Sequence, residues 1–208
     1  AITGVTFPGA RYPTAPAAMT AIEDLLTRLR AQATIRSAEA TDLPVLAGNG
    51  DQDISAVPIG EPANPQLPPS LWIRSVTAGY LKQMRMRLVA GRQFTADDRA
   101  GVPLVGIINQ YAAERYFPGK DPIGRMLSRG NATNVPPITI VGVVASGRHD
   151  GPNQPYKPEL FVPIAQRPSR GVAIVIEPAR DLTSASQTFA RSLREVDPLI
   201  PVSTLAPI

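Results

Sequence analysis

The chain of 208 residues carries 21 lysine and arginine against 17 aspartate and glutamate residues, a net charge of +4, with 43% hydrophobic and 18% charged residues. Cysteine is absent, which excludes disulfides, thiolate metal sites and cysteine nucleophiles. No apolar run approaches the roughly 18 residues of a membrane span.

The first residues, "AITGVTF", form a strand ending at Pro8, with neither an initiator methionine nor a signal peptide ahead of it. The chain therefore reads as a piece of a longer protein. A helix follows over 16–32, with Thr14 as cap, Pro16 in the first turn and Ile22, Leu25, Leu26 and Leu29 on one face. "TIRSAEATDLP" has the alternation of a strand, so the opening is β-α-β. "GDQDISAVPIG" reads as a strand or hairpin arm, "EPANPQLPPS" as a proline-rich connection, and "LWIRSVTAGYLKQM" as a strand and a short helix. "LVGIINQYAAERYF" passes from strand into helix at Asn109, a favourable N-cap, with Ala112, Ala113, Tyr116 and Phe117 as the buried stripe. "PPITIVGVVAS" is a strongly apolar strand. The C-terminus echoes the start: strand "GVAIVIEP", a helix capped by Asp181 with Leu182, Ala185, Phe189, Leu193 and Val196 on its face, then a turn and a short strand in "DPLIPVSTL". The fold class is α+β. A β-α-β unit at each end points to two related halves sharing a sheet, as in split β-α-β folds. A smaller α/β subdomain is inserted at 88–150, which divides the remainder into 1–87 and 151–208.

Chemistry is sparse. "GKD" at 119–121 does not complete a phosphate loop, "GNGDQD" at 48–53 sits in a polar loop instead of a strand-to-helix junction, and a single histidine excludes multi-histidine metal centres. "DQD" at 51–53 is a weak metal signal, and "NAT" at 131–133 a bare glycosylation pattern. His149 beside Asp150, after Ser146, resembles an active-site loop. Adjacent residues rarely reach triad geometry, however, and no oxyanion setting is visible. The densest basic cluster is Lys82, Arg85, Arg87 and Arg92 in "LKQMRMRLVAGR". It lacks interleaved aromatics, and aromatic residues total 5%. That turns it away from nucleic acid and toward a partner or lipid headgroups.

Four phrases taken in order, "SVTAGYLKQMRMRLVAGRQFTADDRAG", "VGIINQYAAERYFPGKDPIGRML", "ITIVGVVASGRHDGPNQPYKPELFVPIAQ" and "REVDPLIPVSTL", resemble the MacB-type periplasmic core domain of FtsX/LolC/MacB-like ABC transporter permeases. Ala78 stands where the family commonly has proline, and "VASGRHDG" replaces a commoner "VGDVRH.G". The resemblance implies an extracytoplasmic domain between the first two transmembrane helices of a bacterial permease. Its porter-like subdomain would be built from both chain ends around the middle insertion. It implies no catalytic residue, cofactor or metal of its own. ATP would be hydrolysed by a cytoplasmic ATP-binding domain or subunit, and the domain would transmit that change to export or extraction of a substrate. The implied partners are a second permease copy and a periplasmic adaptor or lipoprotein. On this reading Gly147, Arg148, His149, Asp150 and Gly151 form a hinge between subdomains, and the basic cluster faces a partner or the membrane. The alternatives are a stand-alone lipid- or lipoprotein-binding module, motivated by the proline-rich loops and basic cluster, and a small hydrolase using His149.

Overall fold

A computed structural model describes residues 1–42, 52–60, 70–128, 135–147 and 155–207. In chain order its elements are β1 (Ile2–Thr6), α1 (Ala15–Arg30), β2 (Ile35–Thr41), β3 (Gln52–Ser55), β4 (Val57–Pro58), β5 (Ser70–Val76), α2 (Tyr80–Gln83), β6 (Leu88–Gly91), β7 (Val105–Asn109), α3 (Gln110–Tyr116), β8 (Met126–Ser128), β9 (Ile138–Val144), β10 (Glu159–Pro163), β11 (Gly171–Pro178) and α4 (Leu182–Val196). They cluster into two compact units, one of Ala1–Pro44 with Arg167–Ile208 and one of Val45–Gln166.

The first unit is an antiparallel sheet in the order β1-β11-β2, with Ile174 of the central strand between Thr3 and Ala40. Both long helices are capped as their sequences require. The Thr14 hydroxyl accepts the Ala17 N–H at 3.2 Å, and Asp181 accepts the Ser184 N–H at 2.8 Å. Pro16 falls in the first turn of α1, where a missing N–H costs nothing. Ala18, Met19, Ile22, Leu25, Leu26 and Leu29 recur at helical spacing and are buried, as are Ala185, Phe189 and Leu193 of α4. Arg28 bridges Asp24 of its own helix and Glu195 of α4. The short strand expected after Pro198 is reduced to one bridge, Ile2 with Ala206, whose N–H···O bonds are 2.8 Å in both directions. Pro201 and Pro207 have no amide to donate, so a longer ladder does not form there.

In the second unit the strands run β5-β10-β7-β9-β8-β4, with β3 also on β5 and β6 also on β9. β10 is parallel to β5 and antiparallel to β7, while β7 is parallel to β9. Ile138 and Thr139 of β9 pair with β8, whereas Gly142, Val143 and Val144 pair with β6. Where β6 meets β9 the backbones nearly touch. A Cβ on Gly142 would lie 2.4 Å from the Arg92 carbonyl, and one on Gly91 (φ +72) 2.2 Å from that of Val141. Leu71, Ile73, Ile108, Ala112, Phe117, Leu127, Ile140, Val143 and Leu160 form the core of this unit.

The unit boundaries lie at 44/45 and 166/167, not at the expected 87/88 and 150/151. The reason is the pairing of β10 between β5 and β7, which draws 70–87 and 155–166 into the second unit.

Candidate functional site

The expected hinge loop is described only at Gly147; Arg148, His149, Asp150 and Gly151 lie outside the described residues. So do Asp51 of the "DQD" motif, the Asp53 side chain and the "NAT" triplet. Immediately before the loop, the Ser146 hydroxyl accepts the Tyr111 N–H at 2.9 Å, in the first turn of α3. Asn109 accepts the next N–H, that of Ala112, also at 2.9 Å. The Ser146 hydroxyl thus serves as a second cap, satisfying one of the helix's unpaired amides.

Asn109 is also the centre of a polar node inside the second unit. Its Oδ1 accepts the Glu159 N–H at 3.2 Å as well as that of Ala112. Its Nδ2 donates to the Lys157 carbonyl at 2.7 Å and to Glu159 Oε2 at 3.0 Å. Both acceptor positions and both donors of the amide are therefore used. Glu159 Oε1 faces Arg74 Nε at 3.6 Å, with side chains only 3% and 5% exposed. Three strands, β5, β10 and β7, each contribute one member. Alongside, the Lys157 ammonium stands 3.4 Å from the centre of the Trp72 ring, on the strand that carries Arg74. A buried ion pair pays heavily in desolvation and holds only when its remaining hydrogen bonds are supplied, which is what Asn109 does. With Asn109, Glu159 and Arg74 drawn from three different strands, the arrangement can clamp those strands together. Sequence reasoning found Asn109 as a cap and missed Arg74 and Glu159. The signal was a charge inside each of the apolar runs "SLWIRSV" and "ELFVP".

The basic cluster divides. Arg92 makes a bidentate pair with Asp98, at 2.8 and 2.9 Å, and Asp98 also accepts the Thr95 N–H at 2.8 Å. The Arg92 guanidinium, helped by that N–H, holds the Asp98 carboxyl below its ordinary value despite burial. Lys82, Arg85 and Arg87 are exposed and have no carboxylate partner among the described residues. Arg85 has φ +57, the left-handed conformation usually taken by glycine. It ends α2 in a Schellman turn: its own N–H reaches the Lys82 carbonyl at 3.0 Å and the Met86 N–H reaches that of Leu81 at 2.9 Å.

In the first unit, Asp197 is buried at the end of α4, facing Arg11, the Tyr12 hydroxyl at 3.1 Å and the Leu199 N–H at 2.9 Å. Burial alone would raise its carboxyl. The three donors outweigh burial and hold it below the ordinary range.

Solved structures with the same fold include two from transporters. The periplasmic region of MacB from Actinobacillus actinomycetemcomitans aligns with a TM-score of 0.59 and 17% identity, over 84% of this chain and 73% of that one. The extracellular domain of the noncanonic ABC-type transporter YknZ from Gram-positive bacteria aligns with a TM-score of 0.58 and 20% identity, over 93% and 92%. No curated protein matches at significant similarity. The MacB-like periplasmic core domain family matches residues 3–192, which include parts of both units and every residue of the Asn109 node. The chain belongs to the MacB-like periplasmic core domain family.

Proposed function

We propose that this chain is the extracytoplasmic domain of an ABC transporter permease, set between two transmembrane helices. It pairs with a second permease copy and passes on the conformational change that ATP drives in the cytoplasm, performing no chemistry of its own. Family membership supports this reading, and the observation that carries it is the bridge between Ile2 and Ala206. With those two residues hydrogen-bonded to each other, chain entering before one and leaving after the other runs side by side. A domain mounted on two neighbouring membrane helices needs that arrangement. Among the described residues no helix is long and apolar enough to cross a membrane. For nucleotide to shift the paired domains, the two arrangements must differ in contact free energy. Tethering by the helices raises the effective concentration of each copy, so even a weak interface serves.

The test uses the absence of cysteine from the chain. A Leu199→Cys substitution in the full-length permease puts one thiol at a side chain 74% exposed. A membrane-impermeant maleimide is expected to label it from outside the cytoplasmic membrane, with the inner membrane intact. Labelling only after that membrane is broken would refute the reading.

A further inference from the structure

We propose that residues 82–89 form a docking surface for a carboxylate-rich face of a different protein. Lys82, Arg85 and Arg87 lie exposed within six residues and have no acidic partner among the described residues. Arg11, Arg28, Arg30, Arg36, Arg92 and Arg167 are matched to carboxylates, whereas Arg180, Arg191 and Arg194 are also exposed with no ion pair among the described residues. Between and beside the cations stand Met84 and Met86, half-buried, and Val89, 41% exposed. Arginine and methionine are enriched in protein interfaces, methionine because its unbranched, polarisable side chain adapts to a partner surface.

The backbone fixes these groups in place. The Schellman turn sets Arg85, and the Arg87 carbonyl accepts the Ala145 N–H at 2.8 Å, fastening the next residues to the end of β9. Arginine occupies a left-handed position where glycine would fit without strain. A set backbone at both arginines favours a partner that presents carboxylates at defined spacing, since guanidinium–carboxylate pairing is directional. A two-fold pairing through this patch would set its cations against themselves, which argues against a second copy as the occupant at this surface. The inference does not depend on the transport reading.

The probe is a fluorescein-labelled peptide of glutamate interspersed with leucine, titrated with the 208-residue chain at low and physiological ionic strength. Saturable, salt-sensitive binding is expected, and a K82A/R85G/R87A variant is expected to weaken it about tenfold or more. That variant relieves the Arg85 strain, so an undiminished melting temperature is expected alongside the lost binding. An R180A/R191A/R194A variant, which removes equal charge from exposed positions elsewhere, is expected to leave binding unchanged. Equal losses in the two variants would overturn the proposal by reducing the effect to overall charge. So would binding to mixed phosphatidylglycerol–phosphatidylcholine vesicles that depends on these residues without peptide binding. A concentration-dependent dimer abolished only by K82A/R85G/R87A would overturn it in favour of self-association.

Discussion

Asn109 holds both ends of Glu159: its Oδ1 accepts the Glu159 backbone N–H at 3.2 Å while its Nδ2 donates to the carboxylate at 3.0 Å. The same oxygen caps α3 through Ala112. Asn109→Ala therefore removes a helix cap, worth about 1 kcal/mol, and strands buried polar groups at about 1–3 kcal/mol more. A loss of about 2–4 kcal/mol in urea unfolding is expected. Asn109→Asp keeps the shape and the cap but sets a second carboxylate against Glu159. It is expected to lose more stability at neutral pH than in mild acid, where protonation relieves the repulsion.

Asp197 makes acid stability measurable at a single side chain. Its carboxyl is held below the ordinary value of 3.8 in the folded state. The native state therefore favours the ionised form. The stabilisation is fully present above the unfolded value and is lost as pH falls through the lower, folded one. Asp98, held down by Arg92, adds in the same direction. Asp197→Asn is expected to flatten the acid limb of a urea-midpoint-against-pH curve and to lower stability at neutral pH. An unchanged acid limb would show that Asp197 is not the group responsible.

Gly142 is where β9 passes the carbonyl of Arg92. A methyl group there would lie 2.4 Å from that oxygen, a contact that only backbone movement relieves. Gly142→Ala is expected to cost about 1–3 kcal/mol and to speed amide exchange in β6 and the paired end of β9. Gly4, where an added Cβ meets nothing within 4 Å, is the control, and Gly4→Ala is expected to stay close to wild type.

Arg85 tests the opposite sign. At φ +57 an arginine side chain carries a left-handed penalty of about 1–2 kcal/mol that glycine escapes. Glycine also loosens the unfolded chain, so Arg85→Gly is expected to stabilise by no more than about 1 kcal/mol, read from the thermal midpoint.

The helices were the most legible part of the sequence. Thr14, Asp181 and Asn109 announce their starts, and the apolar spacing of α1 and α4 gives their buried faces, because these signals act within a few residues. β6 and β8 escaped notice. They are short, lie partly on the surface, and exist because opposite ends of β9 accept them. The unit boundaries were equally hidden, since they follow from Ile73 lying beside Leu160, pairing across a long stretch of chain. The Asn109 node was half legible: its cap is local, but the choice of Glu159 and Arg74 as partners is set by which strands become neighbours. For the basic cluster, spacing alone could not separate Arg92, matched to Asp98 six residues on, from Lys82, Arg85 and Arg87.

The proposed transmission is tested most directly by the distance between two copies of the domain. Spin labels at a Leu199→Cys substitution in the full-length permease report that distance by dipolar spectroscopy. The account predicts a dipolar coupling between copies whose distance distribution shifts between the nucleotide-free and ATP-bound states. A distribution that is the same in both states, or the absence of coupling between copies, would contradict it.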